Sequence, residues 1–258
     1  MTKFTHALTR LPGEDFAAGL TCAAEGPPDL ELALAQHAAY RDALRRAGIE
    51  VTTLEAQPAH PDATFIEDTA VLAERMTVVT RPGAPSRLGE TASVAARLRA
   101  LRGEVREIRA PGTLDGGDVC QAESHFFVGV SARTNAEGAR QFREIIEAAG
   151  YTMSAVDIRA LPSLLHLKSG IAYLGERRLL VVAELPIAGE FAAFERIEVC
   201  AAESYAANCV RVNERVLVAA GYPRTEAALR ACGYSPLTVD VSEFRKMDGG
   251  LSCLSLRF

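Results

Sequence analysis

The sequence contains no tryptophan, and only Lys3, Lys168 and Lys246 among its 28 basic residues are lysine. The scarcity of lysine reads as genome composition and carries no function. With 33 acidic residues the formal net charge is −5, which excludes the basic footprint that a nucleic-acid surface requires. No run of 18 apolar residues is available to span a bilayer, and Met1-Thr2-Lys3-Phe4 lacks the apolar core of a secretory signal. The six cysteines, at 22, 120, 200, 209, 232 and 253, include no C-x-x-C pair, which argues against both a disulfide framework and a structural zinc site. These absences together predict a cytoplasmic protein kept reduced, with neither a membrane nor a nucleic acid as partner.

What remains is a chain of 258 residues, 48% hydrophobic and 24% charged, the composition of an ordinary globular protein. A chain of that size buries roughly three quarters of its unfolded surface without staples. An opening strand over 4–10 leads into a Gly- and Pro-rich loop, and Asp29 then caps a helix. Its apolar positions Leu30, Ala33, Leu34, His37, Tyr40, Ala43 and Leu44 recur at helical spacing, and Gly48 ends it before a strand over 49–54.

From residue 61 one pattern recurs: a polar opening, a strand, a tight turn, a second strand, a helix and a third strand. The turns fall at Glu74-Arg75, Glu123-Ser124, Gly175-Glu176 and Asn213-Glu214. The openings lie near Asp68, Asp118, Lys168, Asn208 and Cys253, a spacing of forty to fifty residues. A period of that length marks a closed repeat array. The fifth repeat begins at the C-terminal end and takes its missing elements from the N-terminal strand, helix and strand, which removes the open sheet edge. The expected fold is α/β: a five-bladed α/β propeller of ββαβ units around a central active-site cavity, with 1–258 a single domain closed by both termini.

Each opening sits at the head of its first strand, so in a closed ring the openings converge on the axis. They supply Glu67, Asp68, Asp115, Asp118, His166, Asn208 and Cys253. Cys253 follows Gly249-Gly250 and precedes the alternating Leu254, Leu256 and Phe258, a thiol held by a glycine turn at the mouth of a strand. Alone it would read as a packing cysteine, as Cys22, Cys120, Cys200, Cys209 and Cys232 do. In company with an imidazole and several carboxylates it reads as a nucleophile beside an acid/base and its orienter. Surplus carboxylates call for a cationic ligand, and a planar guanidinium fits them bidentately. Asp118 has two readings, a turn cap or a support for Asp115, and His6, His37, His60 and His125 read as structural or surface groups.

Six stretches carry a resemblance: 65–68 (Phe-Ile-Glu-Asp), 113–118 (Thr-Leu-Asp-Gly-Gly-Asp), 131–135 (Ser-Ala-Arg-Thr-Asn), 165–170 (Leu-His-Leu-Lys-Ser-Gly), 206–209 (Ala-Ala-Asn-Cys) and 248–253 (Asp-Gly-Gly-Leu-Ser-Cys). Together, in order and across essentially the whole chain, they resemble the dimethylarginine dimethylaminohydrolase family of the guanidino-group-modifying pentein superfamily. The longer arginine and agmatine deiminases and the amidinotransferases share the Cys, His and acid pattern, but their added segments fit this length poorly. The resemblance implies Cys253 as nucleophile, His166 as general acid/base and Asp115 as its acid partner, at a position where bacterial members carry glutamate. It implies Asp62, Glu67 and Asp68 around a substrate guanidinium and Arg87 and Arg133 on its α-carboxylate. Leu20 falls on a lid, and Met247 offers a main-chain contact to the α-amino group. The implied reaction is hydrolysis of Nω-methylated arginines to citrulline and a methylamine through a Cys S-alkylthiouronium. No cofactor is implied, and Cys253 with His166 would be too few ligands for a resident metal. The implied partner is a small guanidine, and a homodimer is compatible with the reading. A deiminase of free arginine is the second reading. A non-catalytic five-fold binding module is the third, and the intact Cys253, His166 and Asp115 set argues against it.

Overall fold

Polar turns and glycines cut the chain into short elements, and a computed structural model describes residues 3–185 and 189–258. Strand β1 (His6–Arg10) leads to helix α1 (Leu30–Arg46) and β2 (Glu50–Leu54). Then come β3 (Ala70–Ala73), β4 (Met76–Val79), α2 (Thr91–Arg102) and β5 (Arg106–Glu107), followed by β6 (Val119–Ala122), β7 (His125–Val130), α3 (Ala136–Ala148) and β8 (Thr152–Asp157). Strands β9 (Ile171–Gly175), β10 (Arg178–Val182) and β11 (Glu195–Val199) precede β12 (Val210–Val212), β13 (Arg215–Ala219), α4 (Pro223–Ala231) and β14 (Ser235–Val239). A short helix α5 (Ser242–Arg245) and β15 (Leu256–Arg257) complete the order.

The strands form five three-stranded sheets, and in each the middle strand is antiparallel to one neighbour and parallel to the other. This α/β fold of five repeated units is the one expected from the periodic openings. The antiparallel pairs β3–β4, β6–β7, β9–β10 and β12–β13 are joined by two-residue loops, the tightest connection a hairpin allows. Three of those loops fall at the predicted positions. The third lies one residue later, at Glu176-Arg177, because Gly175 stays in the ladder opposite Arg178. In the third repeat the place of the helix is taken by a short 3₁₀ helix, Gly189–Ala193.

The chain divides into two compact units, residues 67–169 and residues 1–66 with 170–258. In the first, sheets β3–β4–β5 and β6–β7–β8 pack Val78, Leu114, Phe126, Val128, Phe142 and Ile146 into one core. Helix α3 contributes Ala139, Phe142 and Ile146, one face at helical spacing, and Asn135 caps it by accepting from the Gly138 N–H at 2.7 Å.

The second unit holds the other three sheets. The last is β15–β1–β2, in which strands from both ends of the chain pair, Ala7 opposite Arg257 and Leu8 opposite Leu256. Its core gathers Phe16, Phe65 and Phe244, with ring centroids 5.5–6.3 Å apart, under helix α1. Asp29 caps α1 as expected, accepting from the Leu32 N–H at 3.0 Å. The buried stripe of α1 differs from the predicted one at two places. Leu34 is exposed and Gln36 is buried, because Gln36 is matched polar group for polar group: its amide donates to Asp240 and Ser242 and accepts from the Glu243 N–H. Cys22, predicted to pack, is exposed in the loop ahead of α1, where its backbone N–H and not its thiol makes the contact, to Asp248.

His37 is the unusual member of that stripe. It is fully buried beside the Phe244 ring, and neither ring nitrogen has a hydrogen-bond partner. Burial, aided by Arg41, lowers its pKa from 6.5 to about 3, so the folded protein holds it neutral. Between those values the unfolded chain binds a proton that the folded chain refuses, and stability falls as pH drops through the window. One such proton changes stability by about 1.4 kcal/mol per pH unit. Urea unfolding of the wild type and of His37→Leu at pH 7 and pH 5 is expected to show a smaller acid loss in the variant. Equal losses would mean that His37 is not the group responsible.

Candidate active site

In unit 67–169 three 3₁₀ turns, each at the head of a repeat, present the polar openings. Ile66–Thr69 carries Glu67 and Asp68, Gly116–Asp118 follows Asp115, and Leu167–Ser169 follows His166. A 3₁₀ turn leaves backbone N–H groups unpaired at its start, and buried carboxylates take them up. Gly117 N–H donates to Asp68 Oδ1 at 2.8 Å and Gly83 N–H to Asp115 Oδ1 at 2.8 Å. The other oxygen of Asp115 meets His166 Nε2 at 3.0 Å, so the short aspartate side chain reaches the imidazole. Asp68 Oδ1 lies 3.9 Å from the same nitrogen. The two glycines of this opening are demanded by crowding. A Cβ on Gly116 would fall 2.1 Å from the Glu67 carbonyl oxygen, and one on Gly117 2.9 Å from the His166 ring.

Cations tie the carboxylates down. Arg87, buried in the turn ahead of α2, donates from Nη1 to Asp68 Oδ2 at 2.5 Å, from Nη2 to Glu90 Oε2 at 2.8 Å and from Nε to Glu90 Oε1 at 3.0 Å. Lys168 Nζ pairs with Glu67 Oε1 at 2.6 Å. Arg133 is half-buried on a loop whose backbone passes so close to Gly83 that a Cβ there would lie 2.2 Å from the Arg133 carbonyl oxygen.

In the other unit, Cys253 lies buried in a 3₁₀ turn, Ser252–Leu254, and not at the mouth of a longer strand. The ladder starts only at Leu256 because the Asn208 side chain captures the preceding backbone: Ser252 N–H donates to Asn208 Oδ1 at 2.8 Å. The glycines before it serve close approach and not left-handed φ, which falls on Asp248 at 57°. A Cβ on Gly249 would lie 2.1 Å from the Phe65 ring and one on Gly250 2.6 Å from Asn208 Cγ. The buried Met247 follows α5, and its neighbours are tied to the 20–22 loop by Thr21 Oγ1 donating to the Lys246 carbonyl at 2.8 Å and Cys22 N–H donating to Asp248 Oδ2 at 2.6 Å. Asp62 accepts the N–H of the exposed Leu20 with both oxygens, at 3.0 and 3.2 Å.

The sequence profile described as N,N dimethylarginine dimethylhydrolase, eukaryotic, matches residues 25–190. The chain is 46% identical to the N(G),N(G)-dimethylarginine dimethylaminohydrolase of Pseudomonas aeruginosa over 99% of its own length and 100% of the relative's. The chain belongs to the dimethylarginine dimethylaminohydrolase family. It is 38% identical to the member from Streptomyces coelicolor, covering 97% of this chain and 96% of that one. Among solved structures it matches a cysteine-to-serine mutant of the Pseudomonas aeruginosa enzyme complexed with citrulline, with a TM-score of 0.96, 44% identity and full coverage of both chains. The fold alone is shared with the N-terminal domain of ArgZ, an arginine dihydrolase from cyanobacteria, at 18% identity, a TM-score of 0.85 and coverage of 99% and 97%. As a member of the dimethylarginine dimethylaminohydrolase family the chain is a hydrolase.

The carboxylates around His166 set its charge. Burial works against its charge, but Asp68, Asp115 and Asp118 outweigh burial and raise its pKa from 6.5 to about 9. It is therefore an imidazolium at neutral pH, able to donate a proton. Burial pushes against the charge on Asp68 too, yet His166 and Arg87 hold its pKa below the usual carboxylate range. Asp68, Asp115 and His166 offer ligand atoms within 4.8 Å of one another and could hold a cation, but only after His166 gave up its proton. A surface groove of about 520 Å³ lined by Arg75, Met76, Gln141 and Ile145 includes none of these residues. Sequence reasoning did not foresee Glu90, which holds Arg87 from three residues away, nor Lys168 as the partner of Glu67. The only signal was acid–base spacing, which surface helices share.

A ¹⁵N-histidine titration is expected to show His166 protonated up to about pH 9, with Asp68→Asn moving its midpoint down. Because the folded pKa is raised, this proton stabilises the protein below pH 6.5, and that contribution is lost as pH climbs through about 9. A wild-type midpoint near 6.5 would contradict the carboxylate cage.

Proposed function

We propose that the chain hydrolyses asymmetric dimethylarginine and monomethylarginine to citrulline plus dimethylamine or methylamine, through a covalent intermediate on Cys253. The observation that carries this reading is the buried imidazolium of His166 among carboxylates, in a chain related over its full length to enzymes named for this activity. The cationic substrate favours the Cys253 thiolate, which attacks the guanidinium carbon to give a neutral tetrahedral adduct. His166 gives its proton to the methylated nitrogen, the C–N bond breaks, and the amine leaves behind an S-alkylthiouronium. The now neutral His166 takes a proton from water, and the hydroxide adds to the same carbon. The C–S bond then breaks, returning the thiolate, and loss of a proton completes the ureido group of citrulline.

In this reading Asp115 orients His166. Asp62, Glu67 and Asp68 receive the guanidinium, which joins carboxylates already engaged by the Leu20 N–H, Lys168 and Arg87. Arg87 and Arg133 take the α-carboxylate, the Met247 main chain the α-amino group, and Leu20 sits on the lid. The protein acts as a single domain in the cytoplasm, as a homodimer, without a resident metal or cofactor. Among the described residues no helix is long and apolar enough to cross a membrane, which is consistent with that location.

Comparing kcat/KM for dimethylarginine, monomethylarginine, arginine and agmatine at one pH tests the substrate. Each buried methyl adds about 0.8 kcal/mol, and each charge-assisted hydrogen bond lost with the α-carboxylate removes about 1.5–3 kcal/mol. The methylated arginines are expected to be turned over well, arginine far more slowly, and agmatine essentially not at all. Arginine matching the methylated forms would identify a deiminase instead, and efficient turnover of agmatine would remove the carboxylate clamp.

A further inference from the structure

Asp118 is as buried as the residues of the site but lies outside the set assigned above. Its Oδ1 accepts the Leu167 N–H at 3.0 Å, and its Oδ2 accepts from Ser131 Oγ at 2.6 Å. The Ser131 hydroxyl can only donate to it. Ser131 Oγ already accepts the N–H groups of Arg133 and Thr134, at 3.0 and 3.1 Å, which fills its two lone pairs. Thr134 Oγ1 accepts the Asp115 N–H at 3.1 Å. No space is left for another arrangement, because a Cβ on Gly129 would lie 2.8 Å from Asp118 Oδ1 and 2.9 Å from Leu167 Cβ. Two donors thus point at the two ends of one group, which must accept at both, and a carboxylate meets that demand where an amide does not.

The donors belong to two segments that matter for different ends of a substrate. Leu167 is the residue after His166, and Ser131 holds the Arg133 N–H. We propose that Asp118 is a positioning residue that sets the His166 backbone and the Arg133 loop together, so that proton donation and recognition of the substrate's α-carboxylate share one anchor. This rests on the reading above in which Arg133 takes that carboxylate. Asp118→Asn keeps the shape but turns an amide N–H₂ toward a donor, whichever way it is flipped. Ser131→Ala removes only the contact to the Arg133 loop and leaves the Leu167 bond intact.

The test is steady-state kinetics on monomethylarginine for four single variants and one double variant, with the melting temperature recorded for each. Ser131→Ala is expected to raise KM about 10-fold or more at unchanged kcat, the size of one lost charge-assisted hydrogen bond. Ser131→Thr, which keeps the hydroxyl, is expected to restore KM. Asp118→Asn is expected to raise KM and to lower kcat about 10-fold or more, and adding Ser131→Ala to it should change KM little further. A Ser131→Ala protein with wild-type KM, or one that changes only in melting temperature, overturns the proposal, and it decides the matter even where Asp118→Asn does not fold. Arg133→Gln separates the two layers. If it raises KM while Ser131→Ala does not, the shared anchor fails and the clamp stands. If Arg133→Gln leaves KM unchanged, the clamp itself is wrong, and with it the Arg133 half of the proposal.

Discussion

A buried carboxylate survives only if something holds its charge, and in unit 67–169 that requirement organises everything else. Glu67, Asp68, Glu90, Asp115 and Asp118 are all buried there. Arg87, Lys168 and the protonated His166 answer them, and the backbone N–H groups of Gly83, Gly117 and Leu167 add further donors. The set still carries more negative than positive charge. That deficit raises the pKa of His166 and leaves the cluster attractive to a cation, so the acid of the proposed reaction and the preference for a guanidinium come from one imbalance. Such an arrangement is costly. Removing one partner of a buried pair typically costs about 3–5 kcal/mol, which makes Glu90 and Lys168 as necessary to the cluster as the residues they hold.

How much of this could be read from the chain depends on how far the relevant contact reaches. The five repeats were legible because each hairpin turn, each helix cap and each strand is a local event. Asp29 and Asn135 cap the helices they precede, and the β-hairpins close in two residues where polar pairs interrupt the apolar runs. The polar openings were legible too, since an acid pair or a lone histidine at the head of a strand breaks the apolar pattern. The details that failed are those a distant partner decides. Gln36 is buried because residues 240–243 meet its amide, and Leu34 is exposed because nothing covers it. Gly249 and Gly250 were legible as a tight turn, but what demands glycine there is the Phe65 ring and the Asn208 side chain, some 184 and 42 residues away.

The same distinction separates the two halves of the chemistry. His166 owes its charge to carboxylates brought from openings about fifty and a hundred residues earlier, a property that no local window contains. Cys253 owes its place to Asn208, which grips the turn one residue before it through the Ser252 N–H. In both cases the side chain proposed to react is ordinary for its type, and its environment is what distinguishes it. The polar openings are shared by the repeats, so one scaffold supplies several supports while differing at the single residue each presents.

In the proposed reaction Cys253 forms a covalent bond to the guanidinium carbon of a methylated arginine. Rapid acid quench of the enzyme turning over monomethylarginine, followed by intact-mass and peptide mass spectrometry, measures that directly. An added mass equal to the substrate less methylamine is expected on the peptide containing Cys253, and none in Cys253→Ser. Citrulline formation at wild-type rate in Cys253→Ser, or an adduct on any other residue, would contradict it.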